Sequence, residues 1–269
     1  MYRGRAGRSK HCATDIGQMP HATIGAALRS PRMIDAYVPR NRLLLALPAR
    51  ALKRILPDLE YVRCESEQIL IDADSSLDRV FFPDSGVISV VAVYADGSII
   101  EMATIGREGC SGMQAAFGVK SSSVRLYVQV PGNAVAMSRT AFTRAMANSP
   151  AFRELMHHYV LAFMEQILVS GACNGAHNLT ERLARWLLMM RDRSDDDTMP
   201  LTQNLLAEML GAQRPSVSKA ALELEKAGTI KRGRGKVTIV NRDKLNRKSC
   251  ECYQLVRERV AAHLPKTYA

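Results

Sequence analysis

The chain has 269 residues, 47% of them hydrophobic, and carries 37 Lys+Arg against 26 Asp+Glu, a formal charge of +11. This composition excludes a disordered chain, and the length leaves room for one large domain or two smaller ones. No apolar run reaches the roughly 18 residues that would span a membrane, and the excess of positive charge favours a polyanionic partner without separating DNA from RNA or anionic lipid.

Residues 1–33 contain Arg3, Arg5, Arg8 and Lys10 but no continuous apolar segment, so they make a poor secretory signal. The expectation is a basic, solvated extension. Residues 34–148 have a different texture. Helix-forming residues Pro48 to Leu56 precede short runs rich in β-branched residues: Gln68–Ile71, Arg79–Phe82, Gly86–Tyr94, Ser98–Ile105 and Val124–Val130. Pro83 to Gly86, Ala95-Asp96-Gly97 and Pro131-Gly132-Asn133 punctuate them as turns. Strands at this spacing predict an antiparallel, jelly-roll-like β-roll.

At Ser149-Pro150 the period changes. Phe152, Leu155/Met156, Tyr159, Phe163, Ile167 and Ser170 recur every three to four residues, which predicts one long helix over 149–177. Its stripe, with Phe152, Leu155, Tyr159, Phe163 and Ile167 as the named contacts, either packs on the roll or pairs with a second copy. Asn178 or Thr180 then starts another helix, with Leu183, Ala184, Trp186, Leu187 and Met190 as its apolar set, and Asp195-Asp196-Asp197 closes it in a loop.

Residues 202–240 read as two short helices joined by a tight turn and followed by a basic hairpin. A helix-turn-helix needs a small residue where its helices cross, a residue tolerant of positive φ in the turn, and a buried aliphatic in the second helix. Ala207, Gly211 and Val217 fill those roles, with Leu206, Leu210, Leu222 and Leu224 as further core. Gln213, Arg214, Ser216 and Lys219 remain free at the start of the second helix, where side chains can reach base edges in a major groove. A Leu/Ala-rich stretch broken by Gly can imitate this pattern, but the flank argues against imitation. Ala227-Gly228 stops the helix, and Thr229 to Val240 alternates around Arg234-Gly235 as a hairpin, or wing, bearing Lys231, Arg232, Arg234 and Lys236. Thr202, Ser218, Arg232, Arg234 and Lys236 are the expected phosphate contacts. The winged module spans 178–248, and residues 249–269 form a tail or a further helix.

Six cysteines, Cys12, Cys64, Cys110, Cys173, Cys250 and Cys252, are scattered without a CxxC pair, which suits a reducing cytoplasm. Cys250 and Cys252 form a lone CxC with no neighbouring histidine in the sequence, and the adjacent His157 and His158 point about 100° apart on a helix. No metal or cofactor is expected. Nor is an enzyme: there is no nucleophile elbow and no phosphate-binding glycine loop, and Glu101 and Glu108 read as a solvated strand-end pair.

This order of parts resembles the Crp/Fnr family of bacterial transcription regulators over roughly Arg40 to Lys244, most specifically in LTERLARWLLMMRDR and LTQNLLAEMLGAQRPSVSKAALELEKAGTIKRGRGKVTIV. The resemblance implies an α+β chain with a cyclic-nucleotide-binding-like roll, a dimerisation helix and a winged reader. It places Arg214, Ser216 and Lys219 at base or adjacent phosphate contacts, and Thr202 and Gln213 at helix starts that meet the DNA backbone. Pro215 stands where several members carry Glu. Within Gly106 to Gly118, Met113 falls at the position of the ribose-binding Glu, and Ser122-Ser123 where Arg-Ser would neutralise a cyclic phosphate. A thioether and a hydroxyl cannot replace a carboxylate and a guanidinium. Cyclic AMP is therefore disfavoured, as is oxygen sensing, whose N-terminal cysteine cluster is missing. The candidate effector pocket comprises Glu108, Gly109, Ser111, Gly112, Met113, Ser122, Ser123 and Arg125, with Arg107 as a second approach. The expected partners are double-stranded DNA, a second copy of the chain, RNA polymerase and an unidentified small molecule, with no membrane. Two readers held at about 34 Å address both half-sites of a palindrome. The alternative is a small-molecule sensor whose winged module contacts protein.

Overall fold

The computed structural model describes residues 37–264, so the basic extension expected over residues 1–33 lies outside the described residues. The described chain opens with two short helices, α1 (Arg42–Leu45) and α2 (Ala49–Ile55). Seven strands follow: β1 (Leu59–Cys64), β2 (Ile69–Ile71), β3 (Arg79–Pro83), β4 (Val87–Val93), β5 (Ile99–Ile105), β6 (Arg125–Val130) and β7 (Gly132–Ser138). They form two antiparallel sheets of order β1-β7-β3 and β2-β6-β4-β5 around a shared apolar core. All five expected strands are present. The structure adds β1 and β7, and it corrects the turn expected at Pro131 to Asn133, because β7 begins at Gly132 and pairs with both β1 and β3.

Helix α3 (Arg139–Asn148), which the sequence pattern did not reveal, follows β7 directly; the Ser138 hydroxyl accepts from Ala141 N and caps it. Helix α4 (Pro150–Ala176) begins where the period changed, with Ser149 as its cap and Pro150 in its first turn. Helix α5 (Leu179–Arg193) starts in a reciprocal capping box between Asn178 and Glu181. The winged unit comprises β8 (Thr198–Met199), α6 (Gln203–Leu210), α7 (Arg214–Lys226), β9 (Ile230–Gly233) and β10 (Lys236–Ile239), its sheet ordered β8-β10-β9. Two helices, α8 (Arg242–Lys248) and α9 (Cys252–His263), complete the described residues, and α9 packs along α4.

One buried side chain joins the roll to the helices. Arg193, 1% exposed at the end of α5, donates from Nε to Glu108 Oε1 (2.7 Å), from one terminal nitrogen to Met189 O (2.8 Å), and from the other to Gln166 Oε1 (2.8 Å). Gln166 of α4 in turn donates to Thr104 O of β5 (3.0 Å). Nearby, Trp186 Nε1 and the Ser89 hydroxyl both donate to Glu101 (2.6 and 2.5 Å), and burial pushes the Glu101 carboxyl up to about 7. The two glutamates are therefore not the solvated pair expected from the sequence; each is enclosed and held by its own donors.

Removing one member of a buried ion pair leaves the other charge without compensation, at a cost of about 3–5 kcal/mol. We expect Arg193→Met to lower stability by roughly that amount in urea unfolding, and Glu108→Leu added to it to restore much of the loss. An Arg193→Met protein within about 1 kcal/mol of wild type would show that the pair does not hold the roll in place.

Candidate nucleic-acid interface

The winged unit follows from its caps and from the left-handed turn between its first two helices. The Thr202 hydroxyl accepts from Leu205 N and starts α6, and Gly211 ends it at φ +56°. A side chain in that conformation is strained, whereas glycine adopts it freely. The chain can then reverse within Gly211-Ala212-Gln213 and enter α7, whose inner face buries Val217, Ala220, Ala221 and Leu224. Leu206 and Leu210 join this core as expected; Leu222 does not, since the turn of the helix leaves it 38% exposed.

Gln213, Arg214, Ser216 and Lys219 are all exposed on the first turns of α7. Gln213 caps the helix with its backbone only, so its amide is not spent on the cap. Across β9 and β10 the wing turns at Gly235 (φ +68°), with Lys231, Arg234 and Lys236 exposed. Two expected phosphate contacts are committed within the chain instead. Arg232 donates from both backbone N and side-chain Nε to Glu225 (2.8 Å each), tying the wing to the end of α7. Ser218 is half-buried and donates to Gln203 Oε1 (3.1 Å), binding α7 to α6.

The candidate effector residues are also occupied by the fold. Glu108 belongs to Arg193, and Arg125 forms an ion pair with Asp72 (2.7 Å). Gly109 lies under the Tyr159 ring, where any Cβ would collide, and the Tyr159 hydroxyl donates to Cys110 O (2.7 Å). Ser111, Gly112 and Met113 are buried; Ser122 is closed on its own loop through Val124 O, and Ser123 is exposed. Arg107 pairs with Asp195. A small cavity lies elsewhere, between β5, α4, α5 and α6, lined by Glu101, Thr104, Asn174, Arg185, Trp186 and Met209 among others.

On α4 the expected dimer stripe needs correction. Phe152 and Tyr159 are buried in their own chain, and Leu155, Phe163 and Ile167 are half-buried. The open face carries Leu161, Met164 and Leu168, 47%, 51% and 60% exposed, in line with His157, Gly171 and Gly175, which are also exposed. A second correction concerns the thiols. The end of α4 brings His177 Nδ1 to 3.7 Å from Cys252 Sγ, and Cys173 Sγ to 3.5 Å from Cys250 Sγ, so the CxC pair does have a neighbouring histidine. Sequence spacing could not show this, because the partners arrive from opposite ends of the winged unit.

If the left-handed turn is what sets the two reader helices, Gly211→Ala should lower stability by about 1–2 kcal/mol. A Cβ there meets only Ile100 at 3.5 Å, an ordinary contact, so the loss reads backbone strain. Chemical unfolding checks this, and an unchanged midpoint would reject it.

Residues 181–248 match the Crp-like helix-turn-helix domain. No curated protein sequence matches the chain. Among solved structures the chain is similar to FixK2 from Bradyrhizobium japonicum, at a TM-score of 0.62 and 16% identity over 71% of this chain and 98% of that one. It is similar to TTHB099, a CRP-family transcriptional regulator from Thermus thermophilus, at 0.60 and 18% over 70% and 96%. It is also similar to the c-di-GMP-responsive global regulator CLP from Xanthomonas campestris, at 0.58 and 14% over 71% and 99%.

Proposed function

We propose that this DNA-binding transcription regulator, a chain with a Crp-like helix-turn-helix domain on the Crp/Fnr fold, reads a two-fold symmetric duplex site as a homodimer. The observation that carries the reading is the exposed first turn of α7, with Gln213, Arg214, Ser216 and Lys219 outward and Val217 fully buried behind them. Arg214 suits bidentate contact to guanine, and Gln213 suits adenine. Arg234 and Lys236 on the wing, with the Thr202 start of α6, meet phosphates. Second copies meet along Leu161, Met164 and Leu168, whose spacing with Gly171 and Gly175 alternates between three and four residues as a coiled seam requires. The protein acts in the cytoplasm at promoters served by RNA polymerase and performs no chemistry of its own. Its effector is of a class other than cyclic AMP, because Met113 offers no acceptor for a ribose hydroxyl and the Arg125 cation is already matched by Asp72.

Sites selected from random duplex supply the ligand for the test. Arg214→Ala should cost about 1–3 kcal/mol on the selected site and much less on random duplex; equal losses on both would remove Arg214 from the base readers. Arg234→Ala and Lys236→Ala should each reduce the salt slope of binding by about 0.9 on both duplexes, while Arg232→Ala, engaged by Glu225, should change the slope less.

Leu168→Glu should turn the dimer into a folded monomer in sedimentation and reduce the footprint to one half-site. A Leu168→Glu protein that still sediments as a dimer would place the subunit contact elsewhere.

A further inference from the structure

Cys173 lies in the last turn of α4, His177 ends that helix in extended backbone, and their side chains converge on one face of the helix end. After the winged unit the chain returns to that face with Cys250 and Cys252, on either side of Glu251 at the entrance to α9. The three thiol sulfurs and one imidazole nitrogen all lie within 4.8 Å of one another. Two of the separations, 3.5 Å between Cys173 Sγ and Cys250 Sγ and 3.7 Å between Cys252 Sγ and His177 Nδ1, match the edges of a zinc tetrahedron. Bonds of about 2.3 Å to sulfur and 2.0–2.1 Å to nitrogen set those edges at roughly 3.5–3.8 Å.

The surroundings are built in the same sense. All three cysteines are buried and free. His177 presents Nδ1 to the sulfurs while its Nε2 lies 3.0 Å from the Glu251 carboxylate. That carboxylate fixes the tautomer and strengthens the ring as a ligand. Arg185 is 5% exposed, its charge acts on Cys173, Cys250 and Cys252, and among the described residues its Nε has no hydrogen-bond partner. Three thiolates and one neutral imidazole around a divalent ion leave one negative charge, which this buried cation balances.

We propose that Cys173, His177, Cys250 and Cys252 bind one zinc ion as a closed Cys3His site that staples the end of α4 to the start of α9. Binding at the thiols releases their protons to solvent. The separations suit a single ion rather than a cluster, whose thiolates must stand further apart. A Cys173–Cys250 disulfide would leave His177 and Cys252 without a role. The site closes a loop holding the whole winged unit, and His177 is one of the two residues between α4 and α5, so the ion fixes the joint from which the reader hangs. The proposal rests on this geometry alone and not on the DNA reading.

The test uses the untagged full-length chain prepared under reducing conditions. Metal analysis should find about one zinc per chain, as a closed structural site implies. Cobalt(II) added to the chelator-treated protein should give the intense visible bands and thiolate charge-transfer absorption of a tetrahedral sulfur-rich site. His177→Ala should shift those bands, Cys250→Ser/Cys252→Ser should abolish zinc retention, and chelation of wild type should lower its Tm. Wild type that is folded by circular dichroism yet takes up neither zinc nor cobalt would overturn the proposal. So would zinc retained by the double variant, which would put the ion at other residues. Duplex binding measured in parallel keeps failure here distinct from failure of the reader.

Discussion

The buried pairing of Arg193 with Glu108 is the constraint on which the arrangement of this protein depends. A guanidinium withdrawn from water tolerates few vacancies, and this one spends its donors on three separate elements: the loop after β5 through Glu108, α4 through Gln166, and its own helix through Met189 O. A buried pair adds little net stability, because desolvation consumes most of its attraction. What it adds is geometry. These bonds fix α5 against the roll at several points, so the helix that leads into the winged unit is docked rather than tethered.

That docking brings the reader close to the sheet. Trp186 and Ser89 both donate to Glu101, which links α5 to β4 and β5, and Ile100 of β5 lies against Gly211 in the turn between the reader helices. A shift of β5 relative to α5 would take the Trp186 donor from the Glu101 carboxyl and leave it only Ser89 of β4, and a buried polar group that loses its partner costs about 1–3 kcal/mol. Small displacements are therefore resisted, and a change in the roll large enough to break these contacts must reposition α5 and α6 together.

What could be read from the sequence divides along sequence distance. Ser149-Pro150, Asn178, Gly211 and Arg234-Gly235 announce helix starts, a left-handed turn and a hairpin through chemistry confined to a few residues, and each lies where the pattern put it. Strand β7 escaped because Asn133-Ala134-Val135-Ala136 has weak β propensity and draws its order from pairing on both edges. The enclosure of Glu101 and Glu108 and the meeting of Cys173 and His177 with Cys250 and Cys252 depend on contacts between residues far apart in the chain, for which no local pattern exists. The exposed α7 face was legible; the engagement of Arg232 by Glu225 was not, because a salt bridge across a turn leaves no periodic trace.

Helix α4 shows why periodicity alone can pick the wrong face. An ordinary surface helix buries one stripe and solvates the rest, but α4 has apolar residues around much of its circumference. Phe152, Met156 and Tyr159 fill the chain's own core, α9 covers a second side, and Leu161, Met164 and Leu168 stay open. A search for one stripe finds the aromatic one, since large rings dominate any hydrophobic signal, and so assigns to a partner the residues the chain needs for itself. The excess is itself informative. Three large aliphatic side chains held in water along one line gain nothing for the chain's own core, which is why the proposed subunit contact is placed on them and not on the aromatic stripe.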